Sequence, residues 1–121
     1  MSTARIRMTL AALLFCAWPL TGAAHTELDR AEPAVDATLD AAPSQVHIWF
    51  TSRIEPRFSR IEVYSADGAQ VDKGNSVSSE DKRELTVDLV ENLPAGAYKV
   101  RWNVIARDGH RVRGDYNFSV K

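Results

Sequence analysis

The sequence predicts an all-β protein: an Ig-like Greek-key antiparallel β-sandwich of about seven strands, which follows a cleavable N-terminal signal peptide. Three observations carry the prediction of the sandwich. Beyond residue 25, apolar residues alternate with polar ones, turn residues separate these runs, and no window has a convincing helical period. The length of 121 residues fits one domain.

The alternating runs predict the individual strands. Val46, Ile48 and Phe50 alternate with polar or amphipathic neighbours, and the last run is the cleanest, with Gly114 on its inward face. An additional first strand is expected from Thr26 to Ala31, at a sheet edge because of the proline that follows it. The main strands are predicted over 45–51, 60–64, 84–89, 98–105 and 111–120.

Turn residues fall between these runs. Ala66-Asp67-Gly68 predicts a turn in which the glycine is free to take positive φ, and Asp108-Gly109-His110 joins the last two strands. Residues 74–81 are expected to form a polar loop with little β-propensity, and residues 36–42 tolerate a short helix. The apolar faces of the two sheets are expected to pack about 10 Å apart.

The first 24 residues have the order of a secretory signal. Two arginines come first, Met8–Leu20 is almost wholly apolar, and Thr21–Ala24 supplies small residues. We expect cleavage after Ala24, so that residues 1–24 are the signal peptide and residues 25–121 the mature domain. A membrane anchor is the alternative, but a spanning helix needs roughly 20 apolar residues and this run is shorter.

Cleavage changes the composition of the chain. Of the 15 Lys and Arg residues, Arg5 and Arg7 are lost, which leaves 13 against 16 Asp and Glu and a formal charge of −3. This balance argues against nucleic acid as a partner. Cys16 and both methionines are also lost, so the exported domain must rely on a packed core rather than on disulfides.

Two histidines suggest a copper site. A mature chain that begins at His25 carries an α-amine and an imidazole on one residue, and this pair of nitrogens suits Cu(II). Asp108 and His110 could add an oxygen and a third nitrogen, because the glycine between them lets the backbone bend. We therefore predict one Cu(II) per chain. Asp-Gly is also common turn chemistry, so the motif alone is a weak signal.

Other polar and aromatic residues have simpler interpretations. His47 lies with Trp49 on the face opposite the apolar residues of its strand, which favours a surface or edge position over a metal ligand. Trp49 and Trp102 are expected to be packing groups. Three arginines around the last turn are expected to form a solvated rim, or alternatively to guide an anionic partner or orient Asp108: Arg107, Arg111 and Arg113.

A set of motifs spread over essentially all of residues 25–121 carries a family resemblance: His25, Ala31–Ala34, Ala42–Phe50, Leu93–Tyr98, Val100–Val104, and Asp108-Gly109-His110 through Gly114 to Val120. With these motifs the chain resembles the CopC-like periplasmic copper-resistance proteins. The resemblance implies a Greek-key β-sandwich and Cu(II) ligation by the N-terminal His and by the Asp and His of a D-x-H motif. These ligands correspond to His25, Asp108 and His110.

The resemblance further implies a periplasmic protein that sequesters or passes on copper and is not an enzyme. We expect a monomer whose only membrane partner would be a separate copper transporter, because no later apolar span is present. The chain departs from the family at two places. The mature domain would contain no methionine and so no thioether site for Cu(I), and Ser52 stands where the family often has a glutamate.

Two alternatives stay open at this point. Lytic polysaccharide monooxygenases also chelate copper through an N-terminal His, but an anionic Asp108 ligand favours Cu(II) over Cu(I) and so disfavours redox cycling. A metal-free interaction module would explain every strand pattern. It would leave the coincidence of His25 with the D-G-H motif unexplained.

Overall fold

Two four-stranded β-sheets make up residues 26–121, the part of the chain that this computed structural model describes. One sheet, here called the β3 sheet, has the order β1-β3-β6-β5, and the other, the β7 sheet, has the order β2-β8-β7-β4. The strands are β1 (Leu28–Glu32), β2 (Thr38–Leu39), β3 (Gln45–Phe50), β4 (Arg60–Ser65), β5 (Val77–Ser78), β6 (Glu84–Asp88), β7 (Gly96–Ile105) and β8 (Arg111–Val120), with a 3-10 turn at Pro56–Phe58.

The alternation in the sequence places one face of each sheet in a shared core, which confirms the predicted all-β sandwich. Val46 and Ile48 of β3 are fully buried, and Val100 and Val104 of β7 are fully buried on the facing sheet. Their polar neighbours along the same strands point outward. Within residues 26–121, no helix has the length and hydrophobicity that crossing a membrane requires.

The structure has eight strands rather than about seven, because two short strands form where none was predicted. β5 lies in the expected polar loop and pairs with β6, and β2 lies in the expected helix-tolerant segment and runs parallel to β8. Each has two residues and gains its pairing from a neighbouring strand, so local propensity does not reveal it. β1 is an edge strand as predicted, but it begins at Leu28.

Gly114 faces inward, as predicted, and gives space to an aromatic ring. It is the register partner of Trp102 across the β7–β8 pair. A Cβ atom on Gly114 would lie 2.0 Å from Cζ2 of Trp102, a distance that no real packing allows. The ring of Trp102 therefore occupies the position that any other residue at 114 would need.

The turn between β7 and β8 closes through two backbone hydrogen bonds. Ala106 N donates to His110 O over 2.8 Å, and Gly109 N donates to Ala106 O over 2.9 Å. Gly109 has φ +90, in the left-handed region that glycine adopts without steric cost. This turn projects Asp108 and His110 from one end of the sandwich.

Candidate metal centre

Asp108 and His110 lie in direct contact at the tip of the β7–β8 turn. Asp108 Oδ2 is 2.9 Å from His110 Nδ1, and the backbone N–H of His110 donates to Asp108 Oδ1 over 3.0 Å. Both side chains are exposed, at 61% and 83% of their surface. The hydrogen bond from the His110 side chain lowers the pKa of Asp108 below its ordinary value, so the carboxylate is anionic at neutral pH.

The two side chains converge through a tight turn. The left-handed φ of Gly109 folds the chain back, and the Asp108 carboxylate bridges to the backbone of His110. The prediction that the intervening glycine lets the chain bend agrees with this geometry. The contact supplies one oxygen and one nitrogen on the same small surface.

His25, the third predicted ligand, lies outside the described residues, but the residue after it is firmly placed. Thr26 is only 2% exposed, and its hydroxyl hydrogen-bonds the hydroxyl of Ser52. Next to it, Glu27 N donates to Thr51 Oγ1 over 3.0 Å, and Thr51 N donates to Glu27 O over 2.8 Å. The start of the described chain is thus fixed to the segment that follows β3.

That same segment also holds the base of the D-G-H turn. Arg107 N donates to Arg53 O over 3.2 Å, and Ile54 forms an isolated β-bridge with Ala106. Because residues 52 and 53 are consecutive, one short segment contacts both Thr26, through the Ser52 hydroxyl, and the residue before Asp108, through the Arg53 carbonyl. The start of the described chain and the D-G-H turn therefore share one end of the sandwich.

His47 belongs to a different surface. It lies on the outer face of β3, where its Nε2 is 2.8 Å from Glu84 Oε2 and its ring stacks on Trp49 at 3.7 Å between centroids. The guanidinium of Arg30 lies 3.8 Å from the Trp49 ring centre. His47 is five residues before Ser52, about 16 Å at the rise of a β-strand. A surface position was predicted for it.

Within residues 26–121, no group of three or more His, Cys, Asp or Glu side chains could hold a metal ion. Asp108 and His110 contribute two donors, so a complete tetragonal set would need others, such as the two nitrogens predicted for His25. The contact between Thr26 and Ser52 was not predicted from the sequence. No local pattern signals a hydroxyl pair whose members are 26 positions apart.

The model of the CopC domain matches residues 28–121 of this chain. The chain belongs to the CopC family. Among its relatives, the copper transport protein CutJ of Bacillus subtilis is 36% identical over 118 residues, which are 96% of this chain and 22% of CutJ. The chain thus spans about a fifth of CutJ. These matches confirm the resemblance to the CopC family that the sequence motifs indicated.

Solved CopC-family structures share the fold. The crystal structure of CopC from Methylosinus trichosporium OB3b superimposes with a TM-score of 0.70 at 34% identity, over 80% of this chain and 94% of that one. PcoC, a methionine-rich copper resistance protein from Escherichia coli, gives a TM-score of 0.71 at 28% identity, over 81% of this chain and 100% of that one. The only methionines of the present chain, Met1 and Met8, precede residue 26.

Proposed function

We propose that this CopC-family domain binds one Cu(II) ion as cargo, through His25, Asp108 and His110. It would sequester or carry copper in the bacterial periplasm, in support of copper resistance and homeostasis. The observation that carries the proposal is the short segment at Ser52 and Arg53, which contacts both Thr26 and the base of the D-G-H turn. These contacts support the proposal because they hold Thr26, the residue after His25, at the same end of the domain as the D-G-H turn.

The donors available there suit Cu(II). Asp108 is an exposed anionic oxygen ligand and His110 an exposed imidazole, and the two are already in contact. Cleavage after Ala24 would free the amine of His25 and give that residue two nitrogens. A set of nitrogens with one carboxylate oxygen fits the tetragonal coordination that Cu(II) prefers. The domain boundary at His25 is part of this proposal.

The same donor set supports a carrier rather than an enzyme. An anionic carboxylate ligand stabilises Cu(II) relative to Cu(I), which opposes the redox cycling that oxygen activation needs. The described residues contain no methionine that could offer Cu(I) a thioether. We propose a monomeric carrier that exchanges copper with a separate membrane transporter.

A matched pair of proteins tests the proposed site. Residues 25–121, and the same domain with Ala24 retained, are titrated with Cu(II) by calorimetry against a competing chelator. We expect the protein that begins at His25 to bind one equivalent of Cu(II) tightly. The protein that retains Ala24 should bind Cu(II) at least about tenfold more weakly, because the amine of His25 is then part of a peptide bond. Equal affinity of the two proteins would exclude His25 as the anchoring ligand.

A further inference from the structure

A groove on the outer face of the β7 sheet is lined by arginines from four structural elements. One hollow of about 580 Å³ lies over strands β4, β7 and β8, and an adjoining hollow of about 340 Å³ extends it to the 3-10 turn. The two hollows share Arg60 and Asn103. We call this surface the arginine groove and define it by its basic residues, Arg57, Arg60, Arg101, Arg111 and Arg113.

Strand register explains why these arginines meet. Arg60, Asn103 and Arg113 are partners across β4, β7 and β8, so they form one row of side chains on the outer face. Arg101 lies in the neighbouring row, between Glu62 and Asp115. Adjacent strands are about 4.8 Å apart, which brings the guanidinium groups of a row within reach of one bound chain.

The charge of the groove opposes that of the domain. Five arginines and two carboxylates, Glu62 and Asp115, line it, which gives a formal charge of +3. Residues 26–121 carry −3, so the rest of their surface has a formal charge of −6. Positive charge is therefore concentrated on one face of an acidic protein.

Three of these arginines form no ion pair within 4 Å in the described part of the chain. None of the ion pairs among residues 26–121 uses Arg57, Arg101 or Arg113. Glu62 already accepts a hydrogen bond from Arg60 Nε at 2.6 Å and another from the Tyr64 hydroxyl. Arg101 interacts electrostatically with Glu62 and lies 5.3 Å from the Tyr64 ring centre. The guanidinium groups most available to an external anion are therefore those of Arg57 and Arg113.

We infer that the arginine groove binds a carboxylate-rich segment of a partner protein. The planar guanidinium group pairs with a carboxylate through two parallel hydrogen bonds, which favours this chemistry. A concave groove fits a protein segment better than it fits the flat surface of a lipid bilayer. At one end Phe58, 63% exposed beneath Arg57, offers the aromatic contact that is common in protein interfaces.

The groove also lies beside the candidate metal centre. Arg111 directly follows His110, and its Nη1 donates to Asn103 Oδ1 in the groove over 2.8 Å. A partner held there would be next to Asp108 and His110. The inference goes beyond the proposed function and does not depend on it, because the surface can be tested without copper.

The test uses metal-free residues 25–121 labelled with ¹⁵N and titrated with octaglutamate at low ionic strength. We expect amide shifts concentrated at residues 57–62, 99–103 and 111–115, and binding that weakens as salt is added. The double variant Arg101→Gln, Arg113→Gln should bind octaglutamate at least about fivefold more weakly than the wild type does. The control Lys73→Gln, Arg83→Gln makes the same charge change at exposed positions outside the groove and should stay within about twofold of wild type.

Spectra of both variants outside the groove report whether the fold is retained, and the single variant Arg113→Gln repeats the test if the double variant does not fold. Equal weakening in the groove and control variants would contradict the inference, as would amide shifts located elsewhere. Inorganic phosphate and phosphatidylglycerol vesicles are titrated in parallel. Tighter binding of either at the groove would assign it to phosphate or to lipid and overturn the proposal of a protein segment.

Discussion

Thr26 and Ser52 share a hydrogen bond between their side-chain hydroxyls, at the point where β3 has ended and the described chain begins. Thr26 is buried, so this pair anchors the start of the described chain to the domain. Through the next residue, Arg53, the same segment binds the backbone of Arg107. The relation between these two hydroxyls therefore underlies the proposed meeting of His25 with the D-G-H turn.

Replacing Ser52 by alanine should weaken both the fold and the proposed site. The Thr26 hydroxyl would stay buried without this partner, at a cost of about 1–2 kcal/mol in the free energy of unfolding. Cu(II) affinity should fall severalfold, because the residue after His25 is held less firmly. Thermal unfolding and Cu(II) titration measure the two effects. The control Ser44→Ala, at an exposed position before β3, should change neither.

One result for this variant would contradict a role of the hydroxyl pair in metal binding. If Ser52→Ala lowers the stability while the Cu(II) affinity stays at the wild-type value, the hydroxyl pair supports the fold alone. The position of Thr26 would then have no part in metal binding.

Asp108→Asn should reduce Cu(II) affinity at least about tenfold while leaving metal-free stability nearly unchanged. The side chain is 61% exposed, and its partner His110 is 83% exposed, so little packing is lost. The matched control is Asp67→Asn, which changes an exposed aspartate in another glycine-containing turn. Calorimetric titration with Cu(II) would contradict the assignment if both variants bound like the wild type.

Gly114→Ala should destabilise the domain by about 1–3 kcal/mol, because the new Cβ would overlap the ring of Trp102. The clash involves the six-membered ring of the indole, which phenylalanine lacks in that position. Urea unfolding of Gly114→Ala, Trp102→Phe and the double variant tests this. We expect the double variant to be more stable than the sum of the single effects predicts. Simple additivity would mean that the two residues do not interact.

Cu(II) affinity should decrease steadily as the pH falls from 8 to 5. An α-amine and an imidazole bind metal only after losing a proton, and their ordinary pKa values are about 8 and 6.5. Asp108 should contribute little to this slope, since the hydrogen bond from His110 holds the pKa of the carboxylate below its ordinary value. Titrations at several pH values measure the change. Equal affinities at pH 5 and pH 8 would exclude the proposed ligands.

The sandwich could be predicted from the sequence because a long strand that buries one face has alternating apolar and polar residues. Gln45–Phe50 and Arg111–Val120 were predicted to within one residue at each end. Val77–Ser78 and Thr38–Leu39 could not be predicted, since each pairs over only two residues with a partner distant in sequence. Strand identity at such edges depends on the neighbouring strand more than on composition.

In the candidate site, too, local contacts could be predicted from the sequence and long-range contacts could not. The contact between Asp108 and His110 is local, and the glycine between them signals the bend that creates it. The contacts of Ser52 and Arg53 with distant backbone and side chains depend on how the sheets are connected, which a single sequence does not state. The sequence drew attention to Arg111 and Arg113 near the last turn, but their meeting with Arg57, Arg60 and Arg101 in one groove was not predicted, for the same reason. Arg60 and Arg113 are 53 positions apart and become neighbours only across β7.

The most direct test of the central claim is a Cu(II) titration of residues 25–121 followed by electron paramagnetic resonance. The account predicts that one equivalent gives an axial spectrum with hyperfine couplings from several nitrogens, and that Asp108→Asn and His110→Gln each alter this spectrum. A spectrum of free or loosely bound copper, or one that neither variant changes, would contradict the proposed site at His25, Asp108 and His110.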